Sequence, residues 1–357
     1  MSRLSVLVAG CGNMGTSHAR AYHALASDCQ LVGLVDRSEE ARNRLAAELG
    51  NPATFGDFDE ALAATRPDVV AICTYPDTHA ELARKALDSG AHLFVEKPLA
   101  TTVEEAQSLV DLARAKGRKV VVGYILRVHP AWQKFTEIAR TLGKPLVMRM
   151  NLNQQSRGKD WNTHKSLMKG MDPIVDCGVH YVDVMCQMTR SKPVRVSAIR
   201  ARLSDELEPE RCNYGNLQVT FEDGSVGWYE AGWGPMMSEV AYFIKDVVGP
   251  KGCVSITERA GERTDASANV ESHTATNSLR LHWQDRDAKD EFTKPDEWID
   301  TTDEPDHDGL CLREQQLFAQ AIAGTFDPSG HLEDALNATR IVLAADESFR
   351  SGRSVDL

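Results

Sequence analysis

The stretch Leu4-Ser5-Val6-Leu7-Val8-Ala9-Gly10-Cys11-Gly12-Asn13-Met14-Gly15 decides the fold. Its apolar opening reads as a buried strand, its glycines as a tight turn, and Thr16 to Ala26 as a helix. Each glycine has its own reason: the backbone turns sharply at Gly10, approaches a pyrophosphate at Gly12, and lets helix and strand pack at Gly15. The pyrophosphate then rests on the helix N-terminus, where unpaired N–H groups and the helix dipole favour an anion, with Asn13 and Met14 beside it. A glycine turn alone is a weak signal, so its surroundings carry the weight. Gln30 to Val35 reads as a second strand ending on Asp36. That acid follows the last glycine by about 20 residues, where a carboxylate accepts from ribose hydroxyls. It would repel a 2′-phosphate, so NAD is expected over NADP, although Arg37 next to it could soften the preference.

With 357 residues, the chain exceeds one ordinary core and fits two domains. A net charge of -12, with no Lys/Arg-rich block, argues against nucleic acid or a membrane surface as partner. The eight cysteines are scattered without a CxxC pair, and no secretory leader is read ahead of them. Buried thiols in the cytoplasm are expected. The longest apolar runs are strand-sized, so no membrane span is expected.

Strand-like and helix-like segments alternate through the first third. A helix begun near Ser38, a strand Asp68 to Cys73, a helix Thr78 to Asp88, a strand His92 to Val95, a helix Thr102 to Lys116 and a strand Lys119 to Val122 form a βαβ series. This predicts a doubly wound parallel (Rossmann) sheet over residues 1–123. Residues 124–357 read as a second, substrate-binding and oligomerisation domain. It opens with a helix (His129 to Leu142), a strand (Leu146 to Leu152) and a helix begun at Asp172-Pro173. Strands follow at Val194 to Ala201, Tyr214 to Phe221, Ser225 to Trp233, Val240 to Val248 and Cys253 to Thr257. The pattern predicts a large, mainly antiparallel open sheet covered by helices, with its free face available to a partner subunit. Glu258 to Asp308 reads as exposed strands and loops, and two amphipathic helices, Leu310 to Ala323 and Leu332 to Phe349, close the chain.

Phe94-Val95-Glu96-Lys97-Pro98 puts a glutamate and a lysine past the carboxyl end of a strand, where open α/β sheets bind ligands. A lysine there can hold a substrate hydroxyl and stabilise the developing alkoxide; the plainer reading is an exposed strand-end lysine. Further on, Asp172-Pro173-Ile174-Val175-Asp176-Cys177-Gly178-Val179-His180 reads as one helix with Asp172 as N-cap and Pro173 in the first position. At i and i+4, Asp176 and His180 would share a face, so the carboxylate could orient the imidazole and raise its basicity. On spacing alone, His180 divides evenly between a structural and a catalytic histidine.

These motifs, together with Cys73-Thr74-Tyr75-Pro76-Asp77-Thr78-His79 and Gly123-Tyr124-Ile125-Leu126-Arg127, resemble the Gfo/Idh/MocA oxidoreductases, the glucose-fructose oxidoreductase and inositol dehydrogenase group, over nearly the whole chain. The resemblance implies His180 as general acid/base, Asp176 as its tuning or substrate-binding partner, and Lys97 as the third catalytic residue. It also implies Thr74, Tyr75, His79, Glu96 and Lys97 as cofactor contacts. The expected activity is NAD-dependent oxidation of a secondary hydroxyl on a cyclic polyol or sugar. Two alternatives stand beside it: a sugar oxidoreductase whose bound NAD(P) cycles between two substrates, and a non-catalytic sugar or dinucleotide sensor. Tyr124, Asn153, Gln155 and Trp161 are candidate pocket residues, the last two on an expected loop, and Arg127 is a substrate contact or a junction residue. Lys169-Gly170-Met171-Asp172 departs from the glycine run that often precedes this helix in the family, which puts the substrate's identity in doubt. The eleven histidines show no metal-ligand spacing, so no metal is expected. The homo-oligomer, a dimer or tetramer, is expected to form through the second sheet.

Overall fold

The opening apolar run is strand β1 (Leu4–Ala9), and β2 (Cys29–Val35), β3 (Ala53–Phe55), β4 (Val69–Ile72), β5 (His92–Glu96) and β6 (Val120–Gly123) complete a parallel sheet with it. The structure, a computed structural model, describes residues 3–238, 244–257 and 274–357. The strand order is β3-β2-β1-β4-β5-β6, so the winding direction reverses between β1 and β4. Ligands of such sheets bind at this switch point, beyond the carboxyl ends of the strands. Helices α1 (Asn13–Ala24), α2 (Glu39–Glu48), α3 (Phe58–Thr65), α4 (His79–Ser89) and α5 (Val103–Ala115) run between the strands. With both faces of the sheet covered, β4 and β6 are apolar and buried at every position. Helix starts follow capping chemistry: Ser38, Asp57 and Thr102 each accept from the backbone N–H three residues on.

The second sheet orders its described strands β14-β13-β12-β11-β7-β10-β9-β8-β15. These are β7 (Val147–Gln155), β8 (Pro193–Ala201), β9 (Tyr214–Phe221), β10 (Val226–Gly234), β11 (Lys245–Gly249), β12 (Gly252–Thr257), β13 (Ser278–Trp283), β14 (Glu297–Asp300) and β15 (Val355–Asp356). All pairs are antiparallel except β7 with β10. Side chains of β9 alternate in burial, as expected of a sheet with one face covered. Helix α6 (Pro130–Thr141), the short α8 (Pro173–Asp176) and α9 (Gly178–Thr189) pack on its strands, and α7 (Gly158–Leu167) follows β7.

The chain divides into two compact units, Met1–Val128 with Pro305–Thr339, and His129–Glu304 with Arg340–Leu357. The closing helices α10 (His307–Ala323) and α11 (Ser329–Ser351) therefore serve both: α10 and the start of α11 lie in the first unit, the rest of α11 in the second.

Several expectations change. The single helix from Asp172 is two segments: Cys177 keeps helical backbone and its N–H bonds the Pro173 carbonyl at 3.1 Å, and the ladder then tightens, His180 N–H bonding the Cys177 carbonyl three residues back at 3.2 Å. Residues around Trp161, expected in a loop, form α7. The expected Val240 to Val248 strand begins at Lys245 among the described residues, Val240 to Phe243 lying outside them. Of Glu258 to Asp308, the part at 258–273 is also outside, and the remainder holds β13, β14 and the start of α10.

Candidate functional site

The glycine turn has the geometry its spacing implies. Gly10 takes φ +95°, the left-handed region, and a Cβ there would stand 2.5 Å from the Cys73 carbonyl oxygen at the end of β4. A Cβ on Gly15 would lie 1.9 Å from the Gly10 carbonyl oxygen, so only glycine fits where α1 crosses β1. Gly12 is the opposite case: nothing lies within 4 Å of its missing Cβ. It caps α1 without a side-chain acceptor, and the first turn carries no acidic residue. This is an open, electropositive helix terminus, which fits a pyrophosphate. Asn13 is exposed at the same turn, and Met14 and Arg37 flank it as half-buried and exposed side chains.

Asp36 has a second task that spacing did not show. One carboxylate oxygen accepts from Cys11 N–H at 2.7 Å and the other from Ser38 N–H at 2.8 Å. The acid therefore pins the glycine turn to the end of β2. Burial, then the Asp36 charge, pushes the Cys11 thiol up to about 12, so it stays protonated.

Thr74 hydrogen-bonds Thr78 at 2.7 Å, and Tyr75 is exposed at the same loop. His79, expected as a cofactor contact, is fully buried, with Nδ1 2.8 Å from the Pro98 carbonyl and Nε2 3.0 Å from that of Thr74. Glu96 also turns inward. Its Oε1 accepts from His18 Nε2 at 2.7 Å and its Oε2 from Lys97 N–H at 3.2 Å. Gly123 makes room, since a Cβ there would sit 3.0 Å from Glu96 Oε1. Lys97 itself is half-buried.

Behind Glu96 lies a buried polar group that was not legible in the motifs. His18 Nδ1 meets Gln315 Nε2 at 2.9 Å, and Glu314 and Cys311 of α10 pack alongside. Glu314 Oε1 is buried without a hydrogen bond, and burial, then the Glu96 charge, holds its carboxyl well above the usual range, hence protonated. His18, Cys311 and Glu314 each bring a metal-capable atom within 4.8 Å of the others. Both His18 nitrogens already have partners, which makes the group a hydrogen-bonded core.

In the second unit, Asp176 ends α8 and His180 stands in the first turn of α9, both half-buried. Asp172 stands at the N-cap of α8, with Pro173 in the first position, but its side chain makes no cap hydrogen bond; its carboxylate pairs with Arg200, which also holds Asp346 at 3.0 Å. Beside the helix start is a wall of side chains whose meeting the sequence did not show. Gln154 Oε1 accepts from the Trp233 indole at 2.6 Å and faces the Cys177 thiol at 3.9 Å. The His164 ring stacks on Trp233 at 4.5 Å, and its Nδ1 bonds Ser156 at 2.9 Å. Burial pulls His164 down to about 4 against the carboxylates of Asp176 and Asp160, so the ring is neutral at ordinary pH.

The candidate pocket residues divide between the two units. Asn153 donates to Glu230 at 2.8 Å and keeps a buried Oδ1 without a partner. Gln155 donates to the Met237 carbonyl at 2.7 Å, and buried Trp161 donates to Glu206 at 3.1 Å. Tyr124 is buried in the first unit, where Arg127 pairs with Asp334 at 3.0 Å. Among the described residues, no helix is long and apolar enough to cross a membrane.

Family models match both parts of the chain. Residues 4–124 match the Gfo/Idh/MocA model described as "Oxidoreductase family, NAD-binding Rossmann fold", and residues 137–357 match its "C-terminal alpha/beta domain". The UDP-N-acetylglucosamine 3-dehydrogenase of Acidithiobacillus ferrooxidans is 31% identical over 220 residues, 61% of this chain and 64% of that protein. The match thus spans less than two thirds of that relative. The NAD(+)-linked scyllo-inositol 2-dehydrogenase of Bacillus subtilis is 25% identical, covering 98% of this chain and 95% of that one. An NAD-binding oxidoreductase of Klebsiella pneumoniae shares the fold, with TM-score 0.80 at 24% identity, covering 100% of this chain and 99% of the other.

Proposed function

Because the chain belongs to the Gfo/Idh/MocA oxidoreductase family, we propose that it is an NAD-dependent dehydrogenase oxidising a secondary hydroxyl of a cyclic polyol or pyranose sugar. The observation that carries the reading is the open α1 terminus at Gly12 in the same unit as Lys97, which directly follows β5. Gly10, Gly12, Asn13, Met14 and Gly15 would hold the pyrophosphate, and Asp36 would take the ribose, favouring NAD over NADP. When bound, the nicotinamide supplies the hydride acceptor.

The chain's own residues orient the alcohol and move its proton. Lys97 donates to the reacting hydroxyl oxygen and stabilises negative charge as it develops there. His180 takes the hydroxyl proton as general base, and Asp176 orients the imidazole or binds a neighbouring hydroxyl. Orientation plus proton transfer is what this site contributes. The proposed setting is the cytoplasm, suited to eight cysteines that all stand as free thiols.

We further propose a homo-oligomer through the open face of the second sheet. Val226, Val147 and Val248 are register neighbours there, exposed by 38%, 41% and 39%, an apolar row a second copy could cover. The function is tested by following reduced-cofactor absorbance with inositols and pyranoses, offered with NAD and with NADP. Turnover of such a polyol with NAD supports the reading. Cofactor binding without reduction on any member of the panel contradicts it and favours a sensor.

A further inference from the structure

Lys97 sits between two residues whose positions are fixed from the core. On one side, the Glu96 carboxylate accepts from Lys97 N–H at 3.2 Å and is held by His18 Nε2 at 2.7 Å. His18 is locked in turn: it is fully buried, its Nδ1 meets Gln315 Nε2 at 2.9 Å, and its ring lies 4.6 Å from that of Phe94. On the other side, His79 stands between two carbonyls, with Nδ1 2.8 Å from that of Pro98 and Nε2 3.0 Å from that of Thr74, and its ring, kept neutral by burial, donates to one of them. His79 is also fully buried and opens α4, so it ties the loops after β4 and β5 together.

We propose that His18, with Gln315 behind it, and His79 are positioning residues that hold Lys97 through the two residues flanking it. The proposal rests on the catalytic reading of Lys97. It gives the closing helix α10, far away in sequence, a part in the reaction through Gln315. A buried hydrogen-bonded histidine on each flank removes the freedom of a turn that would otherwise let the lysine swing, and misplacement by about 1 Å can cost about a hundredfold in rate.

A double-mutant cycle tests it on the intact protein. His18→Leu is expected to lower kcat by about tenfold to a hundredfold while NAD binding changes by less than about threefold. His18→Gln, which restores a donor towards Glu96, recovers most of the loss, and at His79 the Leu variant shows the same loss and the Gln variant the same recovery. In a Lys97→Ala background His18→Leu lowers kcat no further, because its effect runs through the missing ammonium. Should His18→Leu fail to fold, Gln315→Leu takes its place in the cycle. Unchanged kcat in these variants, or equal losses with and without Lys97, overturns the positioning role. Full activity in Lys97→Ala alone overturns the catalytic reading of that lysine, and the positioning role with it.

Discussion

His18 Nε2 stands 2.7 Å from Glu96 Oε1 in the buried layer beneath the Lys97 turn, and Glu314 packs against this pair with one oxygen unpartnered. Two carboxylates so close cannot both ionise cheaply, and Glu314 is the one kept protonated. A carboxyl raised above its ordinary 4.5 adds stability that is complete below that pH and is lost as pH rises towards the folded value. Glu314→Gln keeps the shape and removes the titration. It is expected to raise the urea midpoint at neutral and alkaline pH and to flatten its decline; a decline equal to that of the parent protein would refute protonation.

The glycines separate packing from ligand contact. Gly15→Ala forces a Cβ onto the Gly10 carbonyl and is expected to cost about 3 kcal/mol or more. Gly12→Ala has open space and is expected to cost within about 1 kcal/mol, yet to weaken NAD binding by more than about tenfold. Calorimetry of both variants, with and without NAD, reads the two effects separately. Loss of stability in Gly12→Ala with normal cofactor affinity would reverse the assignment.

Asp36→Ala removes the acceptor for Cys11 and Ser38 as well as the acid proposed to meet the ribose. NAD affinity is expected to fall about tenfold, with the NAD-to-NADP ratio moving towards NADP. The ratio is the informative quantity, since loosening the glycine turn affects both cofactors. A ratio that stays put would leave Asp36 as a structural pin.

His164 gives a pH dependence of known sign. Its folded pKa of about 4 lies below the ordinary 6.5, so the unfolded chain takes up the proton first as pH falls. Stability attributable to this ring is complete above 6.5 and declines towards 4, by about 3 kcal/mol at about 1.4 kcal/mol per pKa unit. His164→Gln should remove that part of the acid slope in urea titrations. An identical slope in the variant would mean that the ring titrates in the fold as it does unfolded.

Much of the fold was legible because it rests on short-range patterns. The β1 run is observed as Leu4–Ala9, and Ser38 and Thr102 start helices where capping chemistry says they should. The break at Cys177 was not legible: Asp172-Pro173 announces a helix, but nothing local announces the shift of the His180 N–H to a nearer carbonyl. The candidate site residues divide the same way. Gly10, Gly12, Gly15 and Asp36 declare themselves by spacing, whereas Gln154, Trp233 and His164 meet only because β7, β10 and α7 do. His18 carried a faint signal, one helical turn beyond Gly15 on the face that packs on the sheet. Gln315, nearly three hundred residues away, carried none.

The central claim is tested most directly by following deuterium from the carbinol carbon of a turned-over polyol. The parent protein is predicted to deliver the label to nicotinamide C4, and His180→Ala to bind NAD normally while transferring it at least about a hundredfold more slowly. Label appearing in water instead of the cofactor, or transfer by His180→Ala at the parent rate, would contradict it.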